Sequence, residues 1–312
     1  MYSYILRRIF QAIPVLIGAT SIVFLLVYMA PGNVVENMMG QRASKESREQ
    51  LRHELGLDKP VYIQYLNYMG GLLKGNLGRS WFTGRKVSES ISSNLPYTIQ
   101  LAVAAILITI IIGIGVGLIS SIWRGSVWDH LSRIFALFFI SNPIFVFAIL
   151  VIVLFAVKLA WFPASGVGQG FGISSIGYLI LPGIVLGSRS AAFIARVTRA
   201  SMLEVLGKIY VTAAYAKGLS KWVVILKHVM KNALIPVITI LGLNFGDLLT
   251  GALITEYVFA RPGIGQLAIQ SISTRDLPIL MGVIVFVTIV FVLANLAVDI
   301  LYSFLDPRIR YD

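Results

Sequence analysis

Long apolar stretches without any charged residue constrain this chain more than any other feature of its sequence. The segments 98–122 and 279–298 contain no Asp, Glu, Lys or Arg. A helix of about 20 such residues crosses the roughly 30 Å hydrocarbon core of a bilayer. Only 13% of the 312 residues are charged, against about a quarter in a typical soluble domain. The sequence therefore predicts an integral membrane protein.

The same length rule, applied along the whole chain, predicts an all-α fold with six membrane-spanning helices. The predicted spans are 9–30, 98–122, 133–157, 179–200, 234–257 and 279–304. The fourth is the least apolar because Arg189 and Arg196 interrupt it. The pair Arg7 and Arg8 before an apolar run resembles an export signal. However, 9–30 is longer than the apolar core of about 7–15 residues in a signal peptide, so we expect an uncleaved first span.

Basic residues beside the predicted spans indicate how the chain is oriented. Lys and Arg concentrate in short cytoplasmic segments of membrane proteins. They are found before the first span, between the second and third, between the fourth and fifth, and after the last. All four segments fall on one side if the spans number six, which predicts cytoplasmic N and C termini. The net charge of +12 is then explained by topology and anionic lipid, and not by nucleic acid.

This topology divides the chain into three predicted parts. They are 1–30 with the first span, 31–97 as a small helical extracytoplasmic insertion, and 98–312 as a core of five spans. Within the insertion, Ser44 is expected to cap a helix that ends before Gly56. Pro60 suits the first turn of a second helix.

Residues for enzymatic chemistry are scarce. The chain has no cysteine and three scattered histidines, all outside the predicted spans. No metal site or catalytic residue is predicted. A phosphate-binding Gly-x-x-x-x-Gly-Lys-Ser/Thr loop is missing from the sequence, so any nucleotide must bind another subunit. An intramembrane hydrolase would need paired groups at one depth, but Asp247 and Asp299 are predicted at different depths. A channel or ion-coupled carrier is the other alternative, and the ionisable relays and inverted repeats expected of a carrier are not evident.

The basic, alanine-rich segment 201–232 between the fourth and fifth spans is the most informative stretch. Gly218 is predicted to end a short helix in a left-handed turn, and Ser220 to cap the next helix. Ala213 and Ala214 allow another surface to approach closely. Such a segment suits docking into a groove of a partner protein, or a helix lying on the membrane surface. The spacing alone leaves both interpretations open.

Polar side chains within the fifth span are candidates for a translocation path. Asn244, Asp247 and Thr250 lie in its middle, where polar groups are costly. An acid at that depth needs water or a cation nearby, and the amino terminus of a peptide could provide the cation. We therefore expect Asp247 to face a pore.

Two further patterns concern the third and second spans. Asn142 precedes a proline within the third span and is a candidate for the same path, with hydrogen bonding between helices as the structural alternative. Gly113 and Gly117 in the second span form a Gly-x-x-x-Gly pattern, which is typical of close helix packing.

Several motifs make the chain resemble the permeases of ABC importers for dipeptides, oligopeptides and nickel. The segment 212–218 (TAAYAKG), continuing to 231–236 (KNALIP), is similar to the EAA loop of those permeases. Other matching stretches are 6–16 (LRRIFQAIPVL), 30–32 (APG), 54–60 (ELGLDKP), 75–80 (GNLGRS), 255–265 (TEYVFARPGIG) and 305–310 (LDPRIR). Two positions depart from the general motif, because Thr212 replaces its glutamate and Lys231 its proline.

The resemblance implies a type I ABC importer permease fold in the cytoplasmic membrane of a bacterium or archaeon, with an EAA loop at about 201–232. It assigns coupling to an ATPase to Thr212, Ala213, Ala214, Lys217, Gly218, Leu219 and Ser220. It assigns docking of a binding protein to Arg261, Pro262, Gly263 and Gly265.

The resemblance also implies the partners. They are a second homologous permease subunit, two cytoplasmic subunits that bind ATP and Mg²⁺, and an extracytoplasmic substrate-binding protein. The implied cargo is di- or oligopeptides, with nickel complexes or oligosaccharides as alternatives. The chain itself would bind no cofactor.

Overall fold

Helices form almost all of the described structure. The computed structural model describes residues 2–29, 34–40, 43–168, 173–243 and 245–305. In chain order the helices are α1 (Tyr2–Met29), α2 (Val34–Met39), α3 (Lys45–Glu54), α4 (Val61–Leu73), α5 (Val87–Ile122), α6 (Val127–Ser141), α7 (Ile144–Lys158), α8 (Ile173–Leu206), α9 (Ile209–Ala216), α10 (Lys221–Gly242), α11 (Phe245–Val258), α12 (Ile264–Thr274) and α13 (Leu277–Leu305). A single antiparallel bridge joins Arg79 to Lys86 in the described part. The predicted all-α class is confirmed.

Four described helices are long and apolar enough to cross a membrane. They are α5, Ser175–Leu206 within α8, α10, and Leu277–Ala294 within α13. The pair α6 and α7 also passes as one bent span, and Ile13–Met29 of α1 is a shorter apolar helix. These helices agree with most of the predicted spans. The segment 234–257 falls on α10, which already begins at Lys221, and on α11, with Asn244 between them outside the described residues.

The third predicted span is not one straight helix. Its two halves, α6 and α7, meet at an angle of 111°. Asn142 between them has an extended backbone (φ −84°, ψ 136°). Proline at the next position disfavours helical geometry in the residue before it, so Pro143 ends α6 and starts α7.

The chain packs as two compact units. One contains the described residues within 1–96 and 262–297, and the other contains those within 97–261 and 298–306. In the first unit, the Tyr65 hydroxyl on α4 lies 2.7 Å from Ser21 Oγ on α1. The buried Asp276 carboxylate, just before α13, accepts hydrogen bonds from Ser80 Oγ and the Trp81 backbone N–H.

The start and stop signals predicted within 31–97 are confirmed for α3. Ser44 Oγ accepts a hydrogen bond of 3.1 Å from the Ser47 backbone N–H at the start of α3. Gly56 follows α3 with a φ of +69°. Pro60 lies one position earlier than expected, at the N-cap of α4.

Helices α5 and α8 form the centre of the second unit and lie in backbone contact. A Cβ on Gly113 would lie 2.9 Å from the Ala191 carbonyl oxygen. A Cβ on Gly117 would lie 2.7 Å from the Ala195 carbonyl oxygen. The predicted packing role of the Gly-x-x-x-Gly pattern is therefore confirmed.

The same contacts fix the relative direction of the two helices. Thr109 Oγ1 donates a hydrogen bond of 3.1 Å to the Gly187 carbonyl oxygen. Partner positions on α8 therefore rise in number from Gly187 to Ala195 as those on α5 rise to Gly117. Consequently α5 and α8 run parallel.

Candidate functional site

A tight bend joins α8 to α10, and we call residues 207–220 the α9 elbow. Lys208 has an extended backbone at the N-cap of α9. After α9, Gly218 has a φ of +81° and its N–H donates to the Tyr215 carbonyl at 2.9 Å. The left-handed bend predicted at Gly218 is confirmed, because glycine adopts this conformation without a Cβ clash. Ser220 occupies the N-cap of α10 as predicted, but its side chain makes no capping hydrogen bond.

One face of α9 anchors the elbow to the neighbouring helices. Val211 and Ala214 are buried. They belong to a core cluster with residues of α8 and α10, namely Met202, Val224, Ile225, Val229 and Ala233. Asn232 Nδ2 also donates to the Tyr210 hydroxyl at 2.9 Å. The elbow is thus held in a fixed position on the ends of two long helices.

The opposite face of the elbow is open and partly apolar. Of the residues predicted for ATPase coupling, Ala214 points into the core and the rest are exposed, namely Thr212, Ala213, Lys217, Gly218, Leu219 and Ser220. Large apolar side chains accompany them: Ile209 is 88% exposed and Trp222 is 55% exposed. Sequence reasoning did not single out Ile209 or Trp222, although the 3.6-residue period places apolar positions on both faces of this segment.

Side chains predicted for the translocation path are only partly described. Asn142 is half-buried. Its Nδ2 donates a hydrogen bond of 2.7 Å to the Phe138 carbonyl oxygen in the last turn of α6, so this side chain is paired with the helix that precedes it. Asn244 lies outside the described residues. Asp247 and Thr250 belong to α11, and only their backbone is described.

The segment predicted to dock a binding protein begins with a buried cation. Arg261 is 0% exposed, and its Nη2 donates to Gln100 Oε1 at 2.9 Å. Burial lowers the pKa of Arg261, while the neighbouring Glu256 carboxylate opposes that shift. Pro262 is half-buried, and Gly263 and Gly265 are buried at the start of α12.

Glu256 is the second charged group buried in this part of the molecule. Its Oε1 accepts a hydrogen bond of 2.6 Å from Thr98 Oγ1 in the N-terminal half of α5. Buried charges are stable when they are paired and hydrogen-bonded. The hydrogen bonds from Thr98 to Glu256 and from Arg261 to Gln100 therefore tie the segment 256–261 to α5.

Metal-binding chemistry is not supported in the described part of the chain, where no group of three His, Asp or Glu residues could hold an ion.

The family of the chain is given by two sequence matches. Residues 113–311 match the family described as binding-protein-dependent transport system inner membrane component. Residues 1–102 match the N-terminal part of the same kind of membrane component. The chain belongs to this family. It is a multi-pass inner-membrane permease subunit of a binding-protein-dependent ABC importer.

Full-length relatives carry names of peptide transport systems. The chain is 42% identical to the dipeptide transport system permease protein DppB of Alkalihalophilus pseudofirmus, covering 100% of both chains. It is 42% identical to the di/tripeptide permease DppB of Pseudomonas aeruginosa, covering 100% of this chain and 99% of the relative. It is 39% identical to the glutathione permease GsiC of Escherichia coli, covering 100% of both.

Solved structures share the fold at low sequence identity. The inward-facing MetNI methionine ABC transporter matches with a TM-score of 0.56 and 19% identity, over 69% of this chain and 96% of that chain. An amino acid ABC transporter crystallised with histidines matches with a TM-score of 0.51 and 16% identity, over 71% and 95%. These matches show that the chain shares its fold with a chain of each of these two ABC transporters.

Proposed function

We propose that this permease subunit imports di- or oligopeptides and that the α9 elbow couples it to an ATPase. The observation that carries the coupling role is the elbow itself, which is anchored by Val211 and Ala214 and exposes Ile209, Lys217 and Trp222. An exposed apolar surface with a basic rim is what a groove on a partner protein recognises. The names of the full-length relatives support a peptide cargo.

The proposed topology has six spans with both termini in the cytoplasm. The parallel direction of α5 and α8 supports this topology. Two spans that run in the same direction must be separated along the chain by an odd number of membrane spans. The bent pair α6 and α7 supplies that crossing. In this arrangement 31–97 is an extracytoplasmic insertion, 98–312 is the core, and the elbow lies within the cytoplasmic segment 201–232.

The proposed assembly contains a second homologous permease, two ATP- and Mg²⁺-binding subunits and one extracytoplasmic binding protein. The two permeases each form half of the pore. Closure of the ATPases on ATP moves both elbows, which opens the pore to the outside, and hydrolysis returns it toward the cytoplasm. Since Arg261 is buried, its part in docking is to position Pro262 and Gly263.

The proposed translocation path passes Asp247, together with Asn142, Asn244 and Thr250. An acid there would attract the amino-terminal cation of a peptide. We expect Asp247→Asn to change the preference among competing dipeptides in an uptake assay. An unchanged preference for every peptide would remove Asp247 from the path.

Gly218→Pro tests the coupling role directly. Proline fixes φ near −65°, whereas the elbow requires +81° at this position. We expect uptake of radiolabelled dipeptide in whole cells to be abolished, while the amount of chain inserted in the membrane stays normal.

Gly207→Ala is the matched control, since it precedes α9 without a positive φ and an added Cβ would lie 3.5 Å from its nearest neighbour, the Glu204 carbonyl oxygen. This variant should transport normally. Normal uptake by Gly218→Pro would refute the assignment.

A further inference from the structure

An ion pair between the buried Asp129 carboxylate and the half-buried Arg199 joins α6 to α8, the helix that leads into the α9 elbow. Arg199 Nε donates to Asp129 Oδ1 at 2.8 Å, and Arg199 Nη2 donates to Asp129 Oδ2 at 3.0 Å. Ser120 Oγ and the Gly125 N–H donate to the same carboxylate at 2.6 and 3.0 Å. We call these four groups the Asp129 clamp. The clamp joins the end of α5, the start of α6 and the last turns of α8.

The geometry of the clamp fixes the orientation of the helices that it joins. The Asp129 residue is 1% exposed, and both of its oxygens are occupied by donors of fixed direction. Arg133 adds a more distant contact, with Nε 3.7 Å from Asp129 Oδ1, and its side chain is 53% exposed. A buried ion pair adds little net stability compared with apolar packing. A bidentate Arg–carboxylate contact, however, restricts the angle between the helices that it joins.

The clamp is close to the elbow along a rigid element. Arg199 precedes the end of α8 at Leu206 by seven residues, which is about 10 Å of helix. Only Gly207 and Lys208 separate α8 from α9. A displacement of the elbow is therefore transmitted along α8 to Arg199.

Helix α5 moves with α8, because the two backbones are in contact along several turns. The contacts of Gly113 and Gly117 with α8 leave no space for one helix to slide past the other. The clamp adds α6 to this pair. Beyond α6, the bend at Asn142 and Pro143 separates it from α7.

We propose that Asp129 and Arg199 are positioning residues that make α5, α6 and α8 one rigid body driven by the elbow. The bend at Asn142 and Pro143 is then the hinge at which α7 changes its angle to this body. The inference rests on the proposed coupling role of the elbow. It assigns the transmission of movement to residues outside the EAA loop.

The first test measures coupling in the complete importer, reconstituted with its ATPase subunits and binding protein. Arg199→Lys keeps the charge and loses the planar fork of the guanidinium, and Asp129→Asn loses the charge. We expect both variants to hydrolyse ATP. Dipeptide uptake per ATP hydrolysed should fall by about tenfold, which is within the range by which single substitutions change the coupling between two sites. Arg196→Lys, an exposed position on the same helix, should behave as the wild type.

A wild-type ratio of uptake to hydrolysis in both clamp variants overturns the inference. Gly218→Pro, measured in the same preparation, separates the two hypotheses. If Gly218→Pro abolishes uptake and the clamp variants couple normally, only the clamp is refuted. If Gly218→Pro transports normally, the coupling role of the elbow is refuted, and the inference about the clamp, which rests on it, is refuted too.

The second test does not depend on the clamp variants being stable. The chain has no cysteine, so spin labels can be placed at exposed positions on α6 (Trp128), α7 (Val157) and α8 (Ala200). We expect the Trp128–Ala200 label distance to be the same in nucleotide-free and ATP-trapped importer, and the Val157–Ala200 distance to change. A change in the first distance as large as in the second contradicts the rigid body.

Discussion

At the scale of single residues, two tyrosines on α4 differ in whether their hydroxyl groups are satisfied. The Tyr65 hydroxyl lies 2.7 Å from Ser21 Oγ and 3.2 Å from Thr20 Oγ1. The Tyr68 hydroxyl is buried and has no hydrogen-bond partner among the described residues. A buried polar group without a partner opposes folding, whereas a paired one contributes a modest net stabilisation.

Replacing each tyrosine with phenylalanine should therefore have different effects. Tyr65→Phe is expected to lower the free energy of unfolding by about 1 kcal/mol, the usual net value of one hydrogen bond. Tyr68→Phe should leave it unchanged or raise it, since the hydroxyl removed is desolvated without compensation. Thermal unfolding of the purified importer in detergent measures both. Equal losses in the two variants would contradict this account.

The Tyr68 hydroxyl also predicts a dependence on pH. Burial raises the pKa of Tyr68 from 10.0 to about 12. Because the folded state holds this proton more tightly than the unfolded chain, its contribution to stability declines as the pH rises from about 10 toward about 12. We expect the stability of Tyr68→Phe to decline less than that of the wild type between about pH 10 and about pH 12. Thermal unfolding of both proteins over this pH range provides the measurement.

At the scale of elements, the contact between α5 and α8 depends on a few glycines. A Cβ on Gly117 would lie 2.5 Å from Thr198 Cβ, in addition to its close approach to the Ala195 carbonyl oxygen. Gly115, on the same helix, has no neighbouring atom within 4 Å of an added Cβ. The two positions have the same helical backbone and differ in their surroundings.

Alanine at these two positions should separate helix packing from helix propensity. Gly117→Ala is expected to destabilise the chain by about 1–3 kcal/mol, the usual cost of overpacking. Gly115→Ala should be neutral or stabilising by up to about 1 kcal/mol, because alanine favours the helix. Apparent melting temperatures of the two variants provide the measurement. A similar shift in both would show that α5 and α8 are not in close contact.

At the scale of the whole molecule, the proposed topology places the insertion and the loop between α5 and α6 on opposite sides of the membrane. Single cysteines at Glu49 and Arg124, both exposed in the structure, report the two sides, since the chain has no other cysteine that could be labelled. A membrane-impermeant maleimide should label Glu49→Cys in spheroplasts and Arg124→Cys only after the membrane is permeabilised. Labelling of both from outside would exclude the six-span topology.

Features that depend on local chemistry can be predicted from the sequence. Membrane helices follow from apolar runs of sufficient length, because each helix satisfies its own backbone hydrogen bonds. The N-cap at Ser44 and the left-handed turns at Gly56 and Gly218 follow from the conformations that these residue types favour. The resemblance to ABC importer permeases is also predicted from the sequence, because it rests on several motifs that follow one another in the family's order along the chain.

Contacts between residues that are far apart in the chain follow only from the packing of the helices. Asp129 and Arg199 are 70 residues apart, and nothing in the sequence around either predicts the partner. The burial of Arg261 and the separation of exposed from anchored residues on α9 also depend on neighbouring helices. Local propensity fixes where a helix forms, but its buried face is set by packing against helices that are far away in sequence.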